Sequence, residues 1–240
     1  QPAAGDAGGS LGAALILWYE YLKNPRNVDK NNDKMQGSYL GCSYNNNEIK
    51  NSLGNLGAYY ELIEEDKIFD LVASKIQKNN VVGWFSGKME FGPRALGNRS
   101  ILGNPMDVDM QKTMNLRIKY RESFRPFAPA IKLDKVSQWF DITQESPYML
   151  FVSQVAKEKL LDSSDANKEF SGLERLKIVR SLIPAVTHVD LSARIQTVSK
   201  TTNLRFYSLL DSFEKLSGCP ILINTSFNVR GEPIVCSIED

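Results

Sequence analysis

Apolar residues recur at helical spacing in several segments, and each predicts a helix with one buried face. After the glycine-rich opening, Leu11, Ala14, Leu15 and Trp18 share a face, with Ser10 placed to accept from the free amides of the first turn. Ile68, Val72 and Ile76 follow at i, i+4 and i+8. Met110, Met114 and Ile118 form a third stripe, with Asp107 positioned as its cap. "NLRFYSLLDSFEKLSGCP" predicts a helix closed by Gly218 and Pro220. Shorter runs have other periods. "VVGWFSG" reads as a short buried strand. "YMLFVSQV" and "PAVTHVDLSARIQTV" read as strands, the second alternating Val186, His188 and Asp190 against Ala185, Thr187 and Val189. "PILINTSFN" reads as a strand entering a loop. Strands alternate with helices, so the pattern predicts an α/β or α+β domain. The Asn-rich stretch from Asn24 to Asn47 predicts a linker or exposed loop and a domain boundary, and Lys157 to Arg180 an excursion from the sheet.

Composition narrows the classes. Hydrophobic residues make up 42% of the chain, enough for a real core. The formal net charge is +1, so no global field favours nucleic acid or an anionic membrane, and any anion site must be local. The longest apolar run, Leu11 to Tyr19, is too short to span a bilayer, and no signal peptide precedes it. A start without Met inside a motif-like run predicts a fragment. Three cysteines (Cys42, Cys219, Cys236) without C-x-x-C spacing predict reduced thiols and a cytoplasmic protein. With one histidine and scattered cysteines, a zinc site is disfavoured.

The candidate chemistry is local and basic. From Arg94 to Arg125 the chain carries seven bases (Arg94, Arg99, Lys112, Arg117, Lys119, Arg121, Arg125) against three acids (Asp107, Asp109, Glu122). Arg117 and Arg121, four apart, are expected on one helix face. Taken alone, this excess reads as a solvated basic face. Three features favour a site instead. Arg94 in "GPRA" and Arg125 in "FRPF" sit where proline stiffens the backbone, which suits bidentate recognition of phosphate or carboxylate. "THVDLSARIQT" supplies Arg194 beside His188 and Asp190, and "INTSFNVRGEP" offers Asn224, Thr225, Ser226 and Asn228 at a strand end. "GWFSGKM" is one residue short of a P-loop and lacks Ser or Thr after Lys88.

At these residues the sequence resembles a family. "GKMEFGPRALGNRSIL", "KYRESFRPFAPAI", "PAVTHVDLSARIQTV" and "ILINTSFNVRGEPIV" resemble, in order, the C-terminal part of O-carbamoyltransferases of the NodU and TobZ type. The resemblance implies a YrdC-like twisted mixed sheet with flanking helices over residues 39–240, truncated at its C-terminus. Residues 1–38 would be the tail and linker of a Kae1-like, actin-like ATPase domain. It implies formation of carbamoyl-adenylate from carbamoyl phosphate and ATP with Mg²⁺, then transfer of the carbamoyl group to an acceptor hydroxyl by the full-length enzyme. Carried over by motif, Arg94, Lys119 and Arg125 would be catalytic. Arg94, Arg99, Lys119, Arg125, His188, Arg194, Asn224 and Ser226 would bind carbamoyl phosphate and ATP. Asp6 resembles a ligand for an iron-type metal in the Kae1-like half, here without its histidine partners. A homodimer is compatible with the resemblance. An RNA-binding YrdC-like module and a non-catalytic interaction domain are the competing readings. Neutral net charge and the lack of aromatic-basic interleaving count against RNA.

Overall fold

The computed structural model describes residues 2, 3, 5–29, 33–162 and 178–240. Residues 163–177 of the expected excursion therefore lie outside the described residues. The strands are β1 (Val82–Phe85), β2 (Arg99–Gly103), β3 (Ala128–Lys132), β4 (Phe151–Gln154), β5 (Ser192–Val198) and β6 (Ile221–Ser226). They form one six-stranded mixed sheet in the order β1-β2-β6-β3-β5-β4. Only β3 and β5 run parallel; every other neighbouring pair is antiparallel.

Helices α1 (Gly9–Ile16), α2 (Asn46–Asn55), α3 (Glu65–Gln77), α4 (Met110–Arg117), α5 (Val136–Trp139) and α6 (Leu204–Ser217) complete the named elements. The pleat sorts the core into two layers. Trp84, Leu102 and Lys132 point to one face, where the Phe69 ring of α3 meets Trp84 and Asp211 and Glu214 of α6 meet Lys132. Gly103 points to the other face, where a Cβ would lie 2.8 Å from the Met114 sulfur of α4. α6 shows why this sequence makes a helix here. Asn203 caps it by accepting from the Phe206 amide at 3.0 Å, and Gly218 ends it in the left-handed conformation, φ +75°. Its Phe206, Leu209, Leu210 and Phe213 are fully buried. Together these four side chains contribute about 6–12 kcal/mol gross, before the entropy of ordering them.

Several sequence expectations change. Helix α1 begins at Gly9 with no side-chain cap, so Ser10 lies inside its first turn. The helix continues as a π-helical turn, Leu17–Tyr21, and its apolar residues are not buried: Ile16, Leu17, Trp18 and Tyr21 are exposed. Asp107 accepts from the Asp109 amide at 3.0 Å, closing the turn before α4 rather than capping the helix. β1 is an edge strand with Trp84 alone buried, because its partner β2 covers one side only. In the stretch expected to start a strand at Pro184, residues Pro184–Val186 form a 3-10 turn and the strand begins at Ser192. Proline fixes the first of those turns, and Leu191 at φ +66° breaks the extended backbone just before β5.

Candidate functional site

The strand directions gather the basic and polar motifs at one end of the sheet. β2, β3 and β5 start there, and β1 and β6 finish there. Segments 86–98, 119–127, 188–191 and 226–230 are thus neighbours although they span the whole sequence.

Pairing fixes the side-chain rows. Leu102, Asn224 and Ala128 are cross-strand partners, and Ala130 pairs with Gln196. Two residues back along both parallel strands, Arg194 stands level with Ala128. Asn224 and Arg194 therefore share a face, two strand spacings or roughly 10 Å apart, and Ser226 lies about 7 Å from Asn224 on that face. Asn224 is buried. Its amide nitrogen donates to Gln196 Oε1 at 2.6 Å and to the Ala95 carbonyl at 3.0 Å, while its Oδ1 has no partner. The Arg194 Nε is buried without a partner as well. Burial, and then the charge of Arg94, holds the Arg194 guanidinium below its usual value. Arg94 itself is exposed, at the rim.

The loop carrying Arg94 is organised by Glu90, which the sequence reading did not single out. Glu90 is buried, and its Oε1 accepts from the amides of Leu96 at 2.7 Å, Asn98 at 2.8 Å and Arg99 at 3.3 Å. Gln196 and Tyr39 donate to the Leu96 carbonyl at 2.7 and 2.8 Å. Gly97, at φ +109°, lets the ring of Phe206 approach where a Cβ would meet it at 2.2 Å.

Lys119 forms the second part of the site. It lies two residues beyond α4 and is 6% exposed. Its ammonium donates to the Ser226 carbonyl, the Ser226 hydroxyl at 3.2 Å, and the carbonyl and side-chain oxygen of Asn228 at 2.9 and 2.8 Å. Burial, with the charge of Arg121 behind it, pushes this amine down to about 8. The Arg121 Nε donates to Asn115 Oδ1 at 2.6 Å, and its guanidinium lies over the Phe127 ring at 4.9 Å. α4 ends at Arg117, so Arg117 and Arg121 do not share the helix face expected of them. Arg125 pairs with Glu122 at 2.8 Å, both half exposed. Lys119, Arg121, Arg125 and Arg230 line a cleft of about 240 Å³ with Ser226 and Asn228. Among the described residues, no carboxylate lies within ion-pair distance of Arg94, Lys119, Arg121, Arg194 or Arg230.

Two candidates stand apart. Arg99 is fully buried and turned to the opposite face from Asn224. It stacks at 3.6 Å on Phe85 and donates to the carbonyls of Ser86, Gly87, Asn98 and Cys42. His188 lines a broader groove of about 1090 Å³ with Gln111, Lys112, Phe124 and Thr187. Its Nδ1 lies 3.1 Å from the Ser192 hydroxyl, which donates to Asp190 at 2.6 Å. Burial lowers its imidazole, opposed by Asp190 and reinforced by Arg194. The groove is larger, but its Lys112 and Arg180 are matched by Asp109 and Asp190, whereas the cleft sets Lys119, Arg121, Arg125 and Arg230 against Glu122, and that excess suits a multivalent anion.

Asp6 is exposed, in a 3-10 turn, and the described residues hold no cluster of three His, Cys, Asp or Glu side chains. No helix among the described residues is long and apolar enough to cross a membrane.

Comparison with known proteins gives this arrangement its family. The family model described as "Carbamoyltransferase C-terminus" matches residues 73–240. A protein of Synechocystis sp. without assigned function is 54% identical over all of this chain and 39% of its own length. Nodulation protein NolNO of Sinorhizobium fredii is 38% identical over all of this chain and 32% of its own length. The 3'-hydroxymethylcephem-O-carbamoyltransferase of Amycolatopsis lactamdurans is 36% identical over 71% of this chain and 28% of its own length. The chain thus spans well under half the length of these relatives. With a matching family model and relatives aligned along most or all of its length, the chain belongs to the NodU-type carbamoyltransferase family, and residues 73–240 are that family's C-terminal region.

Proposed function

We propose that this chain is the carbamoyl-adenylate-forming region of an O-carbamoyltransferase. It binds carbamoyl phosphate and ATP, and one water completes their conversion to carbamoyl-adenylate, inorganic phosphate and pyrophosphate. The full-length protein then passes the carbamoyl group to an acceptor hydroxyl. A relative named for O-carbamoylation of a hydroxymethylcephem supports the hydroxyl as acceptor class.

The observation that carries the reading is the excess of cations at one end of the sheet, where Arg94, Lys119, Arg121, Arg194 and Arg230 have no carboxylate within ion-pair distance among the described residues and Arg125 alone is paired, with Glu122. Two phosphorylated reactants repel each other, and holding them together needs fixed positive charge in a partly dry site. Arg94 and Arg194 supply it above Asn224, and Lys119, Arg121 and Arg125 supply it around the cleft. Arg125 exchanges its Glu122 partner for an incoming phosphate. The unpartnered oxygen of Asn224 and Nε of Arg194 are polar atoms whose isolation costs about 1–3 kcal/mol each, which a polar ligand would relieve. Arg99 acts from beneath, by holding the loop carbonyls. Mg²⁺ suits the phosphates of the nucleotide, since the described residues build no cage of their own for it.

The test is calorimetric titration of the chain with carbamoyl phosphate, then with ATP and Mg²⁺, in the wild type and in Arg94→Ala. Saturable binding that weakens at least tenfold in the variant is expected. Equal affinity in wild type and Arg94→Ala would remove the anion site from this end of the sheet.

A further inference from the structure

Outside the basic site, two cysteines distant in sequence meet at the surface. Cys42 lies in the loop after the Tyr39–Glu90 bridge, and Cys236 lies in the segment following β6. Their Sγ atoms are 3.3 Å apart, and the Cys42 thiol also lies 3.4 Å from the Cys236 carbonyl oxygen. Cys42 is half-buried and Cys236 exposed, whereas Cys219 is buried. Among the described residues, no third His, Cys, Asp or Glu side chain joins them in a metal-binding group.

We propose that Cys42 and Cys236 form a redox-active dithiol site that reacts with low-molecular-weight disulfides and closes a Cys42–Cys236 bond. Three observations carry it. The sulfurs need to approach by only about 1.3 Å to reach bonding distance, a shift available to side-chain rotation in exposed segments. Each segment is anchored. The Gly41 amide donates to the Met89 carbonyl at 2.9 Å and the Met89 amide to the Cys42 carbonyl at 2.8 Å. The Asp240 carboxylate accepts from the amides of Cys236 and Ser237, both at 2.8 Å. Finally, the pair is chemically unequal. Burial raises the Cys42 thiol, but hydrogen bonds with Cys236 and Tyr44 and the Arg99 charge outweigh it and leave it below its ordinary value. Cys236 is raised, first by its bond to Cys42.

That inequality sets the order of events. The Cys42 thiolate attacks one sulfur of the small disulfide and expels a thiolate, giving a mixed disulfide on Cys42. Cys236, deprotonated in turn, attacks the Cys42 sulfur and expels the second small thiolate. Two protein thiols are oxidised, one small disulfide is reduced to two thiols, and the two protons pass to the leaving groups. The bond ties the segment that follows Asn228, one of the Lys119 acceptors, to the loop whose Cys42 carbonyl accepts from Arg99.

The experiment equilibrates the native chain with oxidised glutathione, followed by thiol counting after denaturation, intact mass and peptide mapping. The chain has three cysteines, so the expected product has a single free thiol, on Cys219, with no glutathione retained and a cross-linked Cys42–Cys236 peptide. Cys236→Ser should instead keep glutathione on Cys42, because no second thiol resolves the mixed disulfide. Three results would overturn the proposal: wild type that keeps glutathione on either cysteine without the cross-link, a pair that stays reduced while a free exposed thiol peptide is modified, or Cys219 oxidised as fast as the pair. Far-ultraviolet circular dichroism of Cys236→Ser and Cys236→Ala shows that the variants are folded.

Discussion

Replacing Glu90 by Ala tests how the basic loop is held. One carboxylate oxygen accepts three backbone amides within a buried pocket, two of them at 2.7 and 2.8 Å and the third at 3.3 Å. A hydrogen bond to a charged group contributes about 1.5–3 kcal/mol, so the two short bonds carry about 3 kcal/mol at the low end. The long one adds less than 1 kcal/mol, and water entering the space left by the side chain returns part of the loss. Glu90→Ala is expected to cost about 3–4 kcal/mol, within the range seen for broken buried networks. Glu90→Gln keeps a carbonyl oxygen for the same amides and loses only the charge, so about 1–2 kcal/mol is expected. Urea denaturation gives the free energies, and amide hydrogen exchange at Leu96, Asn98 and Arg99 localises them. The reasoning is refuted if Glu90→Ala lies within about 0.5 kcal/mol of wild type, the spread of ordinary surface substitutions, with those amides still protected.

Four further outcomes are expected. Lys119, pushed down to about 8, is charged below that pH and neutral above it, so ATP affinity should fall as pH rises through about 8. Lys119→Arg, always charged, should remove the step in calorimetry across that range. Glu122→Gln frees Arg125 from its half-exposed partner and should tighten carbamoyl phosphate binding at most about fivefold, since such pairs contribute only ~0.2–1 kcal/mol; weaker binding would mean that Glu122 positions Arg125. Gly97→Ala forces a Cβ into the Phe206 ring at φ +109° and should cost about 2–4 kcal/mol in denaturant unfolding. Lys132→Met takes the buried ammonium from Asp211 and Glu214, which keep Lys215 at 2.9 Å and Lys135 at 3.7 Å, and should cost about 1–3 kcal/mol. Bonds from Lys132 and Lys215 hold the Asp211 carboxyl below its usual value of about 3.9. Its contribution is thus present above that pH and lost as pH falls through the lowered native value, and in the variant, whose native value lies nearer the unfolded one, the acid loss should be smaller and end at higher pH.

Some of this was legible in the chain and some was not. Ile68, Val72 and Ile76 announce α3, and Gly218 announces the end of α6, because a helix writes its period and its cap locally. The alternation through His188 and Asp190 is genuine but does not make a strand. Asp190 and His188 bond to Ser192, offering the backbone a turn that competes with the ladder. α2 went unread because its asparagines look like loop formers, yet Asn45 and Glu48 form a capping box. Glu90 carries no local signal, since its three amides come from a loop six to nine residues on. Lys119 and Ser226 are 107 residues apart, and only the strand order brings them together.

The place of β6 has a consequence for the order in which the molecule is made. It is the last strand in the chain, yet it lies between β2 and β3, pairing Leu102 with Asn224 across about half the sequence. During synthesis, β2 and β3 emerge with unsatisfied edges and wait until residue 226 has cleared the ribosome. Only then do the two parts of the sheet join. Long-range pairing of this kind is slow, and open strand edges invite pairing with other chains. A nascent chain halted before Ile221 would have neither a continuous sheet nor its polar end, and would depend on a chaperone to stay apart from its neighbours.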